Sequence, residues 1–225
     1  MIDPLDNIPW HTLTGPHARF AVGTGAVRRY ARGFSPIAAF ADPRQPDFGA
    51  LGSHCEPGEQ VYTLLWTGAP PSRWQIHFEG ALFSMVRTAD AVPDDDTLDA
   101  VPLGAQHAAQ ALELAGLTRP GPFAVRTIEL GDYFGVFDGE RLIAMAGERM
   151  HAGSLREISG VCTHPDFQGR GLARQLMNKL IALQLRRDQT PFLHVMASNT
   201  GARALYRQLG FRDHRDCLVR VVSRQ

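Results

Sequence analysis

The chain has 225 residues, 44% of them apolar and 20% charged, enough to bury one large core or two small ones. Twenty-three basic residues balance twenty-three acidic ones, which argues against the basic footprint of a nucleic-acid binder. Three widely spaced cysteines, Cys55, Cys162 and Cys217, do not form a disulfide framework. No stretch approaches the ~20 apolar residues that span a bilayer, and the first residues lack the basic start and apolar run of a secretory signal. The expectation is therefore a cytoplasmic protein with no membrane or nucleic-acid partner.

Residues 1–78 mix short apolar runs with turn residues and read as a small α/β segment of undefined role, followed by a larger unit over 79–225. Two Pro/Gly breaks, Gly68-Ala69-Pro70-Pro71 and Arg119-Pro120-Gly121-Pro122, punctuate the chain. Ala81–Arg87 reads as a strand, Asp94-Asp95-Asp96 as a solvated turn, and Gly104–Gly116 as a helix. Tyr133–Asp138 and Arg141–Met150 form an expected hairpin about Gly139-Glu140. Leu155–Thr163 is a strand ended by His164-Pro165. A helix follows from Leu172 to about Arg187, with Leu172, Leu176, Leu180 and Leu183 on one face. Phe192–Ala197 is a strand, Asn199 opens a short helix ending at Gly210, and Cys217–Val222 is a last strand. Strand, helix, three strands, helix, strand, helix, strand is the order of a mixed α/β sheet.

The most informative stretch is Gln168-Gly169-Arg170-Gly171-Leu172-Ala173, between a strand and an amphipathic helix. A helix N-terminus leaves backbone amides unpaired and carries partial positive charge, and glycines admit a ligand oxygen to those amides. Arg170 and Arg174 stand where acidic residues would normally complement the helix dipole, so an anion among them is the natural complement. A phosphate is expected. A Walker loop is excluded because no Gly-Lys-Ser/Thr follows. Gly23-Thr24-Gly25 is read as a turn, since Arg28 stands where a dinucleotide fingerprint needs its third glycine.

Gln-x-x-Gly-x-Ala at Gln168, Gly171 and Ala173 resembles the acyl-CoA signature of the GNAT superfamily. Asn199-Thr200-Gly201-Ala202-Arg203-Ala204-Leu205-Tyr206-Arg207-Gln208-Leu209-Gly210-Phe211 resembles that superfamily's second motif, Asn-x-x-Ala-x-x-Leu-Tyr-x-x-x-Gly-Phe. The likeness is dense over 155–211, extends to about residue 80 and is absent before it. It implies a mixed, mostly antiparallel GNAT-type sheet flanked by helices, with an extra N-terminal α/β segment. It also implies acetyl-CoA as co-substrate and a primary amine of a small molecule or peptide as acceptor, in a direct ternary-complex transfer. Amides of Gly169, Arg170, Gly171, Leu172, Ala173 and Arg174 would then hold the pyrophosphate. Val161, Cys162 and Thr163 would pair with the pantetheine arm, and Asn199 and Tyr206 would meet the same arm.

Two roles need side chains. Glu157 is the expected base, eleven residues before Gln168 and alternating with Leu155 and Ser159 along its strand; a surface carboxylate paired with Arg156 or Arg149 is the plain alternative. His151, His194 and Glu148 are held in reserve, with His194 read as a satisfied core or cleft residue. Tyr206 is the expected acid, because a phenol of pKa ~10 can protonate a thiolate whose conjugate acid is near ~8.5. A core tyrosine is its alternative. Cys162 lacks an adjacent activating histidine, so a covalent acyl-enzyme is not expected. The histidines show no metal spacing, and no metal is expected. The acceptor wall is placed on the helix near 104–116, the loop around Pro120–Phe123 and the N-terminal segment, with Leu112, Leu117 and Phe123 as its mostly neutral residues. A non-catalytic CoA-binding sensor or interaction protein is the alternative function, and a homodimer is left open.

Overall fold

The computed structural model describes residues 3–94 and 98–225; Asp95 and Asp96 of the expected acidic turn lie outside them. Its elements are α1 (Ile8–Thr14), β1 (Ala21–Val22), β2 (Val27–Tyr30), β3 (Ile37–Phe40), α2 (Phe48–Gly52), β4 (Gln60–Leu64), β5 (Trp74–Arg87), β6 (Val101–Pro102) and α3 (Ala108–Thr118). They continue as β7 (Tyr133–Asp138), β8 (Arg141–Ala152), β9 (Leu155–Thr163), α4 (Leu172–Arg186), β10 (Thr190–Met196), α5 (Thr200–Gln208) and β11 (Phe211–Arg224). Helices flank one curled, mostly antiparallel sheet in the order β1-β2-β3-β4-β11-β5-β10-β9-β8-β7-β6.

The centre of the sheet is the ribbon of β5 and β11, paired antiparallel from Phe211 against Arg87 to Arg224 against Trp74. Both strands are 14 residues long, where short apolar runs give only Ala81–Arg87 and Cys217–Val222. The division expected after residue 78 falls inside β5. On the far side of β11, β4 and then β3 extend the sheet, so strands from the N-terminal segment lie directly beside the last strand of the chain.

Two layers of apolar side chains hold the faces. Leu176, Met177, Leu180 and Ile181 of α4 pack with Ala144, Ile158, Leu193, Tyr206 and Phe211. The buried stripe of α4 is thus the i, i+1, i+4, i+5 row completed by Gln184, while Leu183 falls at its half-buried margin. Elsewhere Leu5, Ile8 and Leu13 pack with Tyr30 and Ile37 and also with Met150 and Phe192 of β8 and β10. The N-terminal helix therefore shares its core with the strands that carry the motifs.

Candidate active site

β9 and β10 are parallel neighbours over three positions only, Leu155–Glu157 against Thr190–Phe192. Beyond them β9 runs on to Thr163 and β10 to Met196 without pairing to each other. The outer edge of β9 stays paired with β8 through Met145–Cys162 and Ala144–Thr163. Its inner edge opens on the gap, where alternating amides and carbonyls can pair with an extended ligand as with an added strand. A bulge at Gly160 (φ 64°) places one extra residue in β9 between Ser159 and Cys162, outside the regular ladder.

The gap leads to the start of α4. Gly169 and Gly171 both adopt φ 78°, a region that an L side chain disfavours, and a Cβ at either position would meet nothing within 4 Å. Gly171 caps α4 with no side-chain acceptor for the first amides. No acidic residue stands in the first turn, and the ring of Phe167 carries the Arg170 guanidinium 4.7 Å above its centre. Open space, unpaired amides and two arginines form a cradle that fits a pyrophosphate. Arg174 is also tied to Gln208 of α5, joining the two motif helices.

A cleft of about 790 Å³ unites these parts. It takes in Val161, Cys162 and Thr163 on one strand, Gln168 to Arg174 on the loop, and Asn199 and Tyr206 on α5. The sequence-predicted cofactor residues thus share one cavity. Asn199 is also the N-cap of α5, its Oδ1 accepting from the Ala202 amide at 3.1 Å. Gln168 turns its amide back to the Thr163 carbonyl at 3.4 Å. Tyr206 is nine-tenths buried, and burial pushes its phenol up to about 12, so it stays a proton donor at neutral pH. Cys162 faces the core beside Tyr133 and Met145, and burial raises its thiol to about 11, the inert state expected of a strand cysteine.

Glu157 departs from the role assigned to it. A bulge in β8 places Arg149 and Met150 opposite the strand at this point. The Arg149 guanidinium donates to both carboxylate oxygens at 3.0 and 2.8 Å, the Met150 amide donates at 3.1 Å, and His194 Nδ1 lies 2.8 Å from Oε1. Burial works to raise this carboxyl, but the Arg149 charge and the bonds from His194 and Arg149 prevail and bring it to about 2. The side chain is fully buried and does not reach the cleft surface. A carboxylate so acidic and so fully bonded is a poor base. What faces the cleft instead is His194. Because Glu157 can only accept, His194 Nδ1 must carry the proton, which leaves the lone pair on Nε2. The sequence held no sign of this link, since 37 residues separate the partners.

The other two reserve groups, Glu148 and His151, sit elsewhere. Glu148 is buried against Gln184 and the Asp132 amide. The His151 ring lies tilted against that of His17, centroids 4.6 Å apart, on the face covered by α1, and burial with nearby Arg156 lowers it to about 4. Neither lines the cleft. Leu112 and Leu117 are 40% and 54% exposed and lie outside it, as does Phe123, which packs on Tyr133. Of the expected loop around Pro120–Phe123, Pro120, Gly121 and Pro122 do line it.

Comparison with known proteins bears on the whole chain. The FR47-like protein family model matches residues 133–220. A solved protein of Novosphingobium aromaticivorans, assigned as a GNAT-family acetyltransferase, superposes over all of both chains with a TM-score of 0.89 and 35% identity. The chain belongs to the GNAT family. A GCN5-related N-acetyltransferase from Kribbella flavida, at 16% identity and a TM-score of 0.53 over 91% of this chain and 88% of its own, shares the GNAT fold. The curated relatives of this GNAT protein include the ribosomal protein bS18-alanine N-acetyltransferase of Salmonella typhimurium, 38% identical over 86 residues, or 33% of this chain. The Escherichia coli enzyme of the same name is 44% identical over 57 residues, or 25% of this chain. The matches span 58% and 38% of those two enzymes. Among the described residues, no helix is long and apolar enough to cross a membrane and no cluster of three His, Cys, Asp or Glu could hold a metal.

Proposed function

We propose that this GNAT protein transfers an acetyl group from acetyl-CoA to a primary amine by direct attack. The observation that carries the reading is the parting of β9 from β10 onto the glycine-rich start of α4. One end of that gap offers amides and arginines to a pyrophosphate, and its length offers a free strand edge to an extended arm. The co-substrate supplies an activated thioester. The chain supplies the rest.

His194 Nε2 takes the proton of the incoming amine, with Glu157 holding the ring in one tautomer. Tyr206 gives its proton to the departing thiolate. An ammonium acceptor first loses one proton to solvent through His194; as the C–N bond then forms and the C–S bond breaks, the nitrogen of the neutral amine gives a second proton to His194 and Tyr206 gives one to the sulfur, so charge balances. The base matters most for strongly basic acceptors. An alkyl amine of pKa ~10.4 costs ~4.6 kcal/mol to deprotonate at pH 7, an α-amino group of pKa ~7.8 only ~1 kcal/mol. The curated relatives' acceptor, an alanine of a ribosomal protein, belongs to the second kind.

Titration calorimetry with acetyl-CoA tests the cradle. Gly171→Val places a branched side chain at positive φ in the open space above the loop. Binding should be lost while circular dichroism stays that of the folded protein. Unchanged affinity in a folded variant would remove this loop from the site.

A further inference from the structure

Past the parting of β9 and β10 the cleft runs on over Ile37, Tyr62, Leu64, Phe78, Leu82 and Val219. Strand register makes these one surface. Val219 stands opposite Leu64 on one side and Gly80 on the other, and Leu82 stands opposite Met196. Phe78, Gly80 and Leu82 share a face by the two-residue period of β5. Gly80 matters because a Cβ there would come within 2.8 Å of both Phe78 Cζ and Met196 Cε. Its missing side chain lets the Phe78 ring lie down across the strand. That ring is 45% exposed, and it is exposed inside a cavity.

Arg119 and Arg149 line the cleft, and no Asp or Glu lines it among the described residues. Glu157 lies beneath the wall, engaged by Arg149 and His194. Glu79, next to Phe78, points to the other face and binds Arg220 at 2.6 Å. A second ammonium group on an acceptor would lose hydration here and meet guanidinium groups instead of carboxylates. An apolar group would cover an aromatic and aliphatic floor that is otherwise wet.

We propose that the acceptor is a small primary amine with an apolar body and no second positive charge, seated on the floor that the N-terminal half builds. This rests on the acetyl-transfer reading of the cleft and excludes polyamines and aminoglycosides. Tyr62, Leu64 and Phe78 are then specificity residues, and the N-terminal strands serve to complete the acceptor site.

The test measures thiol release from saturating acetyl-CoA with 2-phenylethylamine, spermidine, an aminoglycoside and an alanine-initiated peptide. A hydrophobic pocket separates such acceptors by about 10–200-fold, so kcat/KM for 2-phenylethylamine should exceed that for spermidine by at least 10-fold. Phe78→Glu, at a partly exposed position, should reduce that ratio at least 10-fold while acetyl-CoA affinity by calorimetry is unchanged. Phe78→Leu should retain the preference. Spermidine, the aminoglycoside or the peptide as the better substrate, or an unmoved ratio in Phe78→Glu, would overturn the inference alone. Thiol release with none of the amines would overturn the transfer reading and this inference with it.

Discussion

Exchanging His194 for glutamine leaves an amide able to donate to Glu157 but removes the basic ring nitrogen from the cleft. Glu157 keeps its two bonds from Arg149 and the one from the Met150 amide, so the structural cost is that of one altered hydrogen bond, ~0.5–1.5 kcal/mol. The catalytic cost is that of a general base, ~10²–10⁴-fold in kcat/KM, and is largest for strongly basic amines. Glu157→Gln should behave in the opposite way. It strips the counter-charge from a buried guanidinium, a change worth ~3–5 kcal/mol of stability, which urea denaturation reads directly. Glu157 itself is a poor proton acceptor. Burial works to raise its carboxyl, but Arg149 and the bond from His194 hold it well below the usual carboxylate range, so it has little affinity for a proton from an alkylammonium. The assay is thiol release with a strongly basic alkyl amine and with an α-amino acceptor, for both variants and wild type, with chemistry shown to limit the rate. kcat/KM should fall in His194→Gln, and fall most for the strongly basic amine. A His194→Gln protein with wild-type turnover on both acceptors would refute a base at His194, and a stable Glu157→Gln protein showing the same selective loss would return the base role to Glu157.

Tyr206→Phe keeps the ring against Phe211 and deletes only the proton donor, so turnover should drop ~10²–10⁴-fold with little change in acetyl-CoA affinity; near-normal turnover would assign the thiolate's proton to another group. Stability should fall below pH 6.5. Burial, with nearby His151, Arg156 and Arg19, lowers His17 to about 3, and burial with Arg156 and Arg19 lowers His151 to about 4, so both stay neutral in the fold while the unfolded chain binds their protons. Their contribution is complete above ~6.5 and is lost as pH falls toward the lowered values, the unfolded chain binding up to two more protons than the fold. The depressed carboxyl of Glu157 adds its own loss only below ~4.5. Urea midpoints between pH 7 and 4.5 check this, and a flat profile there would contradict the two buried neutral histidines.

The sequence was most legible where local pattern and local geometry agree. Tyr133–Asp138 and Leu155–Thr163 are found with the bounds read from their apolar runs, and the glycine loop announces the start of α4 through its composition. The first half of β11, Arg212-Asp213-His214-Arg215-Asp216, was illegible because it is polar and mostly exposed. It is a strand only because β5 pairs with it across the sheet. Residues 74–79 of β5 alternate in type, but the place of Phe78 in the proposed acceptor floor depends on Gly80 and on neighbours more than a hundred residues away. The fate of Glu157 was legible only in part: pairing with Arg149 stood as the plain alternative, whereas its full burial and its bond to His194 did not show. The register shift in β8 that brings Arg149 and the Met150 amide onto it leaves no mark in residue type, and its partner His194 comes from another strand. Periodicity reports which face a side chain takes, whereas the neighbours that saturate it are fixed by tertiary pairing.

Acetyl transfer in this cleft consumes acetyl-CoA and an amine in equal amounts. Wild-type protein is incubated with acetyl-CoA and 2-phenylethylamine, and free CoA thiol and acetylated amine are quantified by mass spectrometry in the same samples. The two products should form in equal amounts, rise together with time and fall together in Tyr206→Phe. Thiol released without acetylated amine would contradict acetyl transfer.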